Sequence, residues 1–208
     1  MTSPLVESLM DELEQFLIRH MPAPVSLLSS IERLRDHAEL ASHVQADGHF
    51  ALEVDASLRS SDDLTLKKGM LVLLAYRVAH HWIAEGHAAW AFTLQALWAN
   101  YVSVDIDPRC NIAPGVYFDH PTGIVIGETA RIGPRVLLYH GVTLGSLGPM
   151  SGGSRRHPAL QGDNVIGCGA SVLGPITIGR GARVRAGEIV TDDRSASGSK
   201  LTKQVDHA

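Results

Sequence analysis

FDHPTGIVIGETARIG, residues 118 to 133, fits neither a helix nor an ordinary strand. Its aliphatic residues follow neither the spacing of three and four that lines one face of a helix nor the strict alternation of a half-buried strand. They recur every sixth position instead. Working outward, Ile106, Ile112, Phe118 and Ile124 are spaced by six. After a slip of two residues Ile126, Ile132, Leu138 and Leu144 repeat the spacing, and past a glycine-rich interruption it returns as Ile166, Val172, Ile178, Val184 and Val190.

A six-residue period reads as a parallel β-helix, in which short strands meet at tight corners and each circuit stacks on the one below. The recurrent aliphatic residue points inward, and a small residue beside it permits the corner. Gly127, Gly133, Gly167 and Gly179 each follow an aliphatic position, as this requires. A run of ordinary sandwich strands would show period two with turn signals every ~8–12 residues, and the sequence lacks that pattern.

The first hundred residues read differently. Apolar spacings of three and four, few glycines, and the Ser3-Pro4 helix start point to helices. Leu5, Leu9, Leu13, Phe16 and Leu17 form one face; SLLSSIERLRDHAELASHV (26–44) reads as a second helix. LTLKKGMLVLLAYRVAHHWIAEG (64–86) reads as a third ending at Gly86, and HAAWAFTLQALWANYV (87–102) as a fourth. The expected fold class is α+β, with an α-helical domain over 1–101, a β-helix over 102–192 and a polar, disordered tail over 193–208.

Composition excludes several functions. The 208 residues are 45% hydrophobic with a formal net charge of −4, and scattered Lys and Arg argue against nucleic acid as a partner. No apolar stretch reaches the ~18 residues of a membrane span and no secretory signal opens the chain, so a cytoplasmic protein is expected. Cys110 and Cys168 make neither a disulfide framework nor a zinc site, and no metal is expected. LGSLGPMSGG (144–153) lacks the Lys-Ser/Thr ending of a P-loop.

VDIDP (104–108), DHPTGIVIGETARIG (119–133) and GVTLGSLGPMSGGSRRHP (141–158), with KKGMLVLLAYRVAHHWIAEG (67–86), resemble the serine O-acetyltransferase family of hexapeptide-repeat acyltransferases. The resemblance covers most of residues 65 to 190. It implies a left-handed β-helix, acetyl-CoA as acyl donor, L-serine as acceptor, and trimers or dimers of trimers with sites between subunits. An alcohol needs a base to accept its proton as it attacks a thioester, and a neutral imidazole serves near pH 7. His120 is the expected base. By resemblance Asp105 orients it and Asp119 meets the substrate ammonium; adjacent Asp119 is less suited to orient His120, because consecutive strand side chains point to opposite faces.

Arginine binds a carboxylate bidentately, and Arg156 with His157 resembles the family's carboxylate pair. Arg155 is an additional arginine, so either can face the substrate. Gly145, Ser146, Cys168 and Ala186 match the small-residue positions along which CoA threads, and His140 is read as structural or pocket-lining. The family's Arg-Asp-Pro-Ala motif is missing, and Asp55 in EVDASLR (53–59) is the expected substitute for its amine-binding aspartate. The enlarged loop before Arg156 leaves open a different small hydroxylated amino acid or amine as acceptor; a silent scaffold is the alternative of another class. The chain lacks the terminal isoleucine through which some members bind the next enzyme of cysteine synthesis, so no such complex is expected.

Overall fold

Among residues 3–20, 25–148 and 155–198, which the computed structural model describes, five α-helices and one short 3-10 helix precede thirteen strands of two to four residues. The helices are α1 (Pro4–His20), α2 (Val25–Arg35), α3 (Ala38–Val54), α4 (Lys68–Ala84) and α5 (Ala88–Val102). The segment expected as one helix over 26–44 is broken at His37, whose Nδ1 accepts a hydrogen bond from the Leu40 amide at 3.3 Å and so caps α3. Ahead of α4, Ser61–Leu66 winds as the 3-10 helix. None of the described helices is long and apolar enough to cross a membrane.

The strands form three parallel sheets, the faces of a triangular left-handed β-helix. Face one holds Asp105–Ile106, Val125–Ile126, Thr143–Gly145, Ser171–Leu173 and Ile189–Val190. Face two holds Asn111–Ile112, Arg131–Ile132, Ala159–Leu160 and Thr177–Ile178, and face three Val116–Asp119, Val136–Tyr139, Val165–Ile166 and Arg183–Val184. Val125 pairs with Thr143, eighteen residues on, as hexapeptide coils require. Asp105 pairs with Val125 twenty residues on, which places the two-residue slip in the corner at 120–123. Thr143 pairs with Ser171 twenty-eight residues on, the difference being the loop before Arg156.

The inward ladder is buried on all three faces, each side chain contributing ~1.5–3 kcal/mol. It contains Leu160, six residues before Ile166, where the sequence reading resumed one repeat late. Ile124, counted in the ladder, is buried but lies at the corner, outside any strand. The glycines after aliphatic positions also serve a different purpose from the one expected. A Cβ on Gly167 or Gly179 would lie 2.5 and 2.4 Å from backbone of the next coil, so these glycines allow close stacking. Left-handed corners are made by others, among them Gly123, Gly141, Gly169 and Gly187.

α4 joins the halves. It is apolar nearly all round because it is buried on both sides: Leu74 and Val78 pack among the helices, while Val72, Leu73 and Tyr76 enter the β-helix interior. Arg77 donates to Asp47 at 2.6 and 2.8 Å and to the carbonyls of Ile112 and Ala113; Asp47 also accepts from the amides of Gly115 and Val116. The tail expected to be disordered from Asp193 is held as far as Ser197. Arg194 bridges to Ile178, and the Ser197 amide donates to Arg180 O at 2.8 Å, because backbone groups at the end of face two still need partners. Positions 199–208 lie outside the described residues.

Candidate active site

Two corner columns carry the residues of interest. The first leads from face three into face one, the second from face one into face two. His120 lies on the first, where the chain takes eight residues from Phe118 to Ile126 while the coil above takes six from Leu138 to Leu144. The added length and a left-handed backbone, φ 50°, push His120 outward, leaving its side chain 82% exposed. Its Nε2 lies 3.7 Å from Asp119 Oδ1. Strand alternation does not separate these neighbours as expected, because His120 belongs to the corner and its backbone is not extended.

The His120 corner and the start of α4 enclose a cleft of about 280 Å³, with Lys67, Gly69, Asp119 and His120 in its wall. Gly69 brings the helix against the strand: a Cβ there would lie 1.9 Å from Phe118 O. Burial pushes the Asp119 carboxyl up from its ordinary range, His120 acting against that shift and Asp55 with it. Asp55, just after α3, accepts from Tyr117 OH at 2.8 Å and pairs with Lys67 at 2.8 Å. Burial works against the Asp55 charge, but Lys67, Ser57 and Tyr117 hold its pKa at about 2. Asp55 thus lies behind the cleft wall rather than in it, joined to the cleft through Tyr117 and Lys67, which line it.

Asp105 is exposed at the start of face one and accepts from Gln95 Nε2 of α5 at 2.7 Å. Among the described residues it is not hydrogen-bonded to His120, which sits one coil above it and five residues short of its register partner Val125.

Arg156 and His157 lie on the second corner. His157 is buried over Gly127, where a Cβ would come within 2.0 Å of its Nε2. Its Nδ1 accepts from the Thr129 amide at 3.1 Å, so the neutral ring carries its proton on Nε2. Burial, followed by the Arg156 charge, lowers its pKa, in keeping with that neutral form. The two arginines are distinguished: Arg155 donates to the carbonyls of His157, Ile176 and Pro175, while Arg156 pairs with Glu128 at 2.7 Å. Arg155 is committed to backbone, leaving Arg156 with an exchangeable partner.

The positions matched to CoA divide in the same way. Cys168 and Ala186 stack on the first corner above His120 and His140, linked by Gly169 N to His140 O and Gly187 N to Cys168 O, each 2.8 Å. Gly145 ends the face-one strand Thr143–Gly145, and Ser146 opens the second corner. Each group therefore has one set at each margin of face one, and the described residues of a single chain do not gather both into one cleft. Lys67, Tyr117, Ser57, Gln95 and Thr129 were not singled out from sequence; Lys67, Ser57, Gln95 and Thr129 lie in the quoted segments, but only the fold shows what they touch. Among the described residues no three or more His, Cys, Asp or Glu side chains are disposed to hold a metal.

No family model matches the chain. Serine acetyltransferase 4 of Arabidopsis thaliana is 44% identical over 138 residues, 66% of this chain and 38% of the relative. The chain spans less than half the length of the first curated relatives it matches. A solved soybean serine acetyltransferase complexed with serine superposes with TM-score 0.81 at 34% identity, covering 94% of this chain and 80% of that one. One from Brucella abortus in complex with coenzyme A gives TM-score 0.84 at 29% identity, covering 93% and 78%.

Proposed function

The chain belongs to the serine acetyltransferase family, and from that premise we propose that it transfers acetyl from acetyl-CoA to the hydroxyl of L-serine, as in cysteine biosynthesis, in the cytoplasm. The proposal rests on the placement of His120, which stands in the mouth of a cleft beside Asp119, on the same corner column as Cys168 and Ala186.

In this mechanism the His120 imidazole accepts the serine hydroxyl proton as the oxygen attacks the thioester carbonyl. The tetrahedral intermediate then collapses, breaking the carbon–sulfur bond; the departing thiolate takes the proton from the imidazolium. Oxygen gains the acetyl group and CoA leaves as the thiol. Asp105 stabilises the imidazolium once the ring turns toward face one, exchanging part of its bond to Gln95. Asp119 meets the substrate ammonium. Arg156 and the His157 Nε2 proton take the substrate carboxylate, with Glu128 released.

The placement of these groups on opposite margins of face one supports a site shared between copies, and the family resemblance implies a homotrimer in which the first corner of one subunit faces the second corner of its neighbour. Gly145 and Ser146 then line one side of the CoA groove and Cys168 and Ala186 the other. Acetyl-CoA consumption with L-serine as acceptor tests the reading directly: His120→Ala lowers kcat/KM by on the order of a hundredfold or more. An unchanged rate in that variant, or no serine-dependent thiol release by the wild type, would overturn it.

A further inference from the structure

The two carboxylates near the cleft are not equivalent: Asp119 stands in its wall beside His120, and Asp55 lies behind Lys67 and Tyr117. An ionised carboxylate offers about four acceptor positions, and at Asp55 all are used. Oδ1 accepts from the Ser57 amide at 2.8 Å and from Ser57 Oγ at 2.6 Å. Oδ2 accepts from Tyr117 OH and pairs with Lys67 Nζ, both at 2.8 Å. The Lys67 ammonium donates further to Ser57 Oγ at 2.6 Å. The Lys67 and Asp55 side chains are only 25% and 10% exposed, and the Lys67 backbone is pinned between the 3-10 helix and α4 by the hydrogen bond its amide donates to Leu64 O. The Lys67 head is thus fixed at the back of the cleft by two short polar contacts.

Among the described residues Asp119 has no such occupant. Its charged neighbour is His120 at 3.7 Å, and Lys67 acts on it only at longer range. An incoming ammonium could engage Asp55 only by expelling Lys67, exchanging one cation for another at the same oxygen and gaining little. It can add a new interaction only at Asp119.

On the acetyl-transfer reading, we propose that Lys67 fills the cation position of the acceptor cleft at Asp55, leaving one carboxylate to recognise a substrate amino group. The accepted class then extends from L-serine to short hydroxy acids that lack the amino group, and Lys67 sets that breadth. The hydroxyl, its proton transfer to His120 and the thioester chemistry are the same for either acceptor.

The test measures kcat/KM for L-serine and for 3-hydroxypropionate, which is serine without its amino group, in the wild type, Lys67→Met and Lys67→Gln. The wild type is expected to acetylate both. Freeing Asp55 for the ammonium should raise the serine to 3-hydroxypropionate ratio by about tenfold or more, the effect of one added charge-assisted hydrogen bond. A ratio taken within one preparation is insensitive to partial loss of folded enzyme, and Lys67→Gln retains a donor toward Ser57 should the methionine variant not fold. Transfer to L-serine with an unchanged ratio in the variants, or with none to 3-hydroxypropionate in the wild type, overturns the Lys67 proposal alone. No transfer to either acceptor by the wild type removes the transferase reading and this proposal with it.

Discussion

At φ 50° His120 occupies left-handed backbone, which asparagine tolerates better than most residues. His120→Asn should therefore keep the corner while removing the proton acceptor; melting temperature within a few degrees of wild type, with serine-dependent acetyl transfer down by on the order of a hundredfold, is the expected pair of results. His157 has the opposite setting, buried and neutral. Its folded pKa lies below the ~6.5 of an unfolded imidazole, so below that pH the unfolded chain binds more protons and stability falls. Replacement by Gln should flatten the loss of stability from about pH 6.5 downward, as urea unfolding across that range would read. Asp55 is lowered to about 2. Its contribution is complete above the unfolded value of ~3.9 and fades as pH falls toward 2, too acidic to explain any change near neutrality.

At the scale of elements, the site depends on the contact between α4 and the strand Val116–Asp119. A methyl group at Gly69 would meet the Phe118 carbonyl at 1.9 Å, and two rigid backbones must then separate. Gly69→Ala should cost about 3 kcal/mol or more in urea unfolding and disturb activity, since Phe118 leads directly into Asp119 and His120. Gly187 is a contrasting case: a Cβ there meets nothing within 4 Å, and only its φ of 67° resists substitution. Gly187→Ala should cost roughly 1–2 kcal/mol. The same residue type therefore has two physical roles here, close approach and left-handed backbone, and sequence spacing does not tell them apart.

For the whole molecule, the decisive feature is that the proposed groups divide between two corner columns. If the site forms where two copies meet, chains carrying His120→Asn and chains carrying His157→Gln should complement. Coexpressed or corefolded together, they regain serine-dependent thiol release well above either alone, because some interfaces pair an intact first corner with an intact second. Activity no greater than the sum of the separate variants would place the whole site within one chain.

The β-helix was legible because a period of six is a local property: each aliphatic residue on the ladder must point inward whatever its neighbours do, so Ile126, Ile132 and Leu138 declare the fold without reference to distant residues. His120 and His157 could be put forward as candidates because each lies in a local motif, and the structure places each at a corner. The partition of α2 from α3, the bond between Gln95 and Asp105, and the occupation of Asp55 by Lys67 were not legible. Each joins residues ten or more apart, or turns on one capping side chain, and only packing α3 and α4 against the first coil decides which cation meets which carboxylate. Periodicity determined the scaffold; tertiary contact determined the electrostatics of the cleft, because charge pairing depends on distance in space.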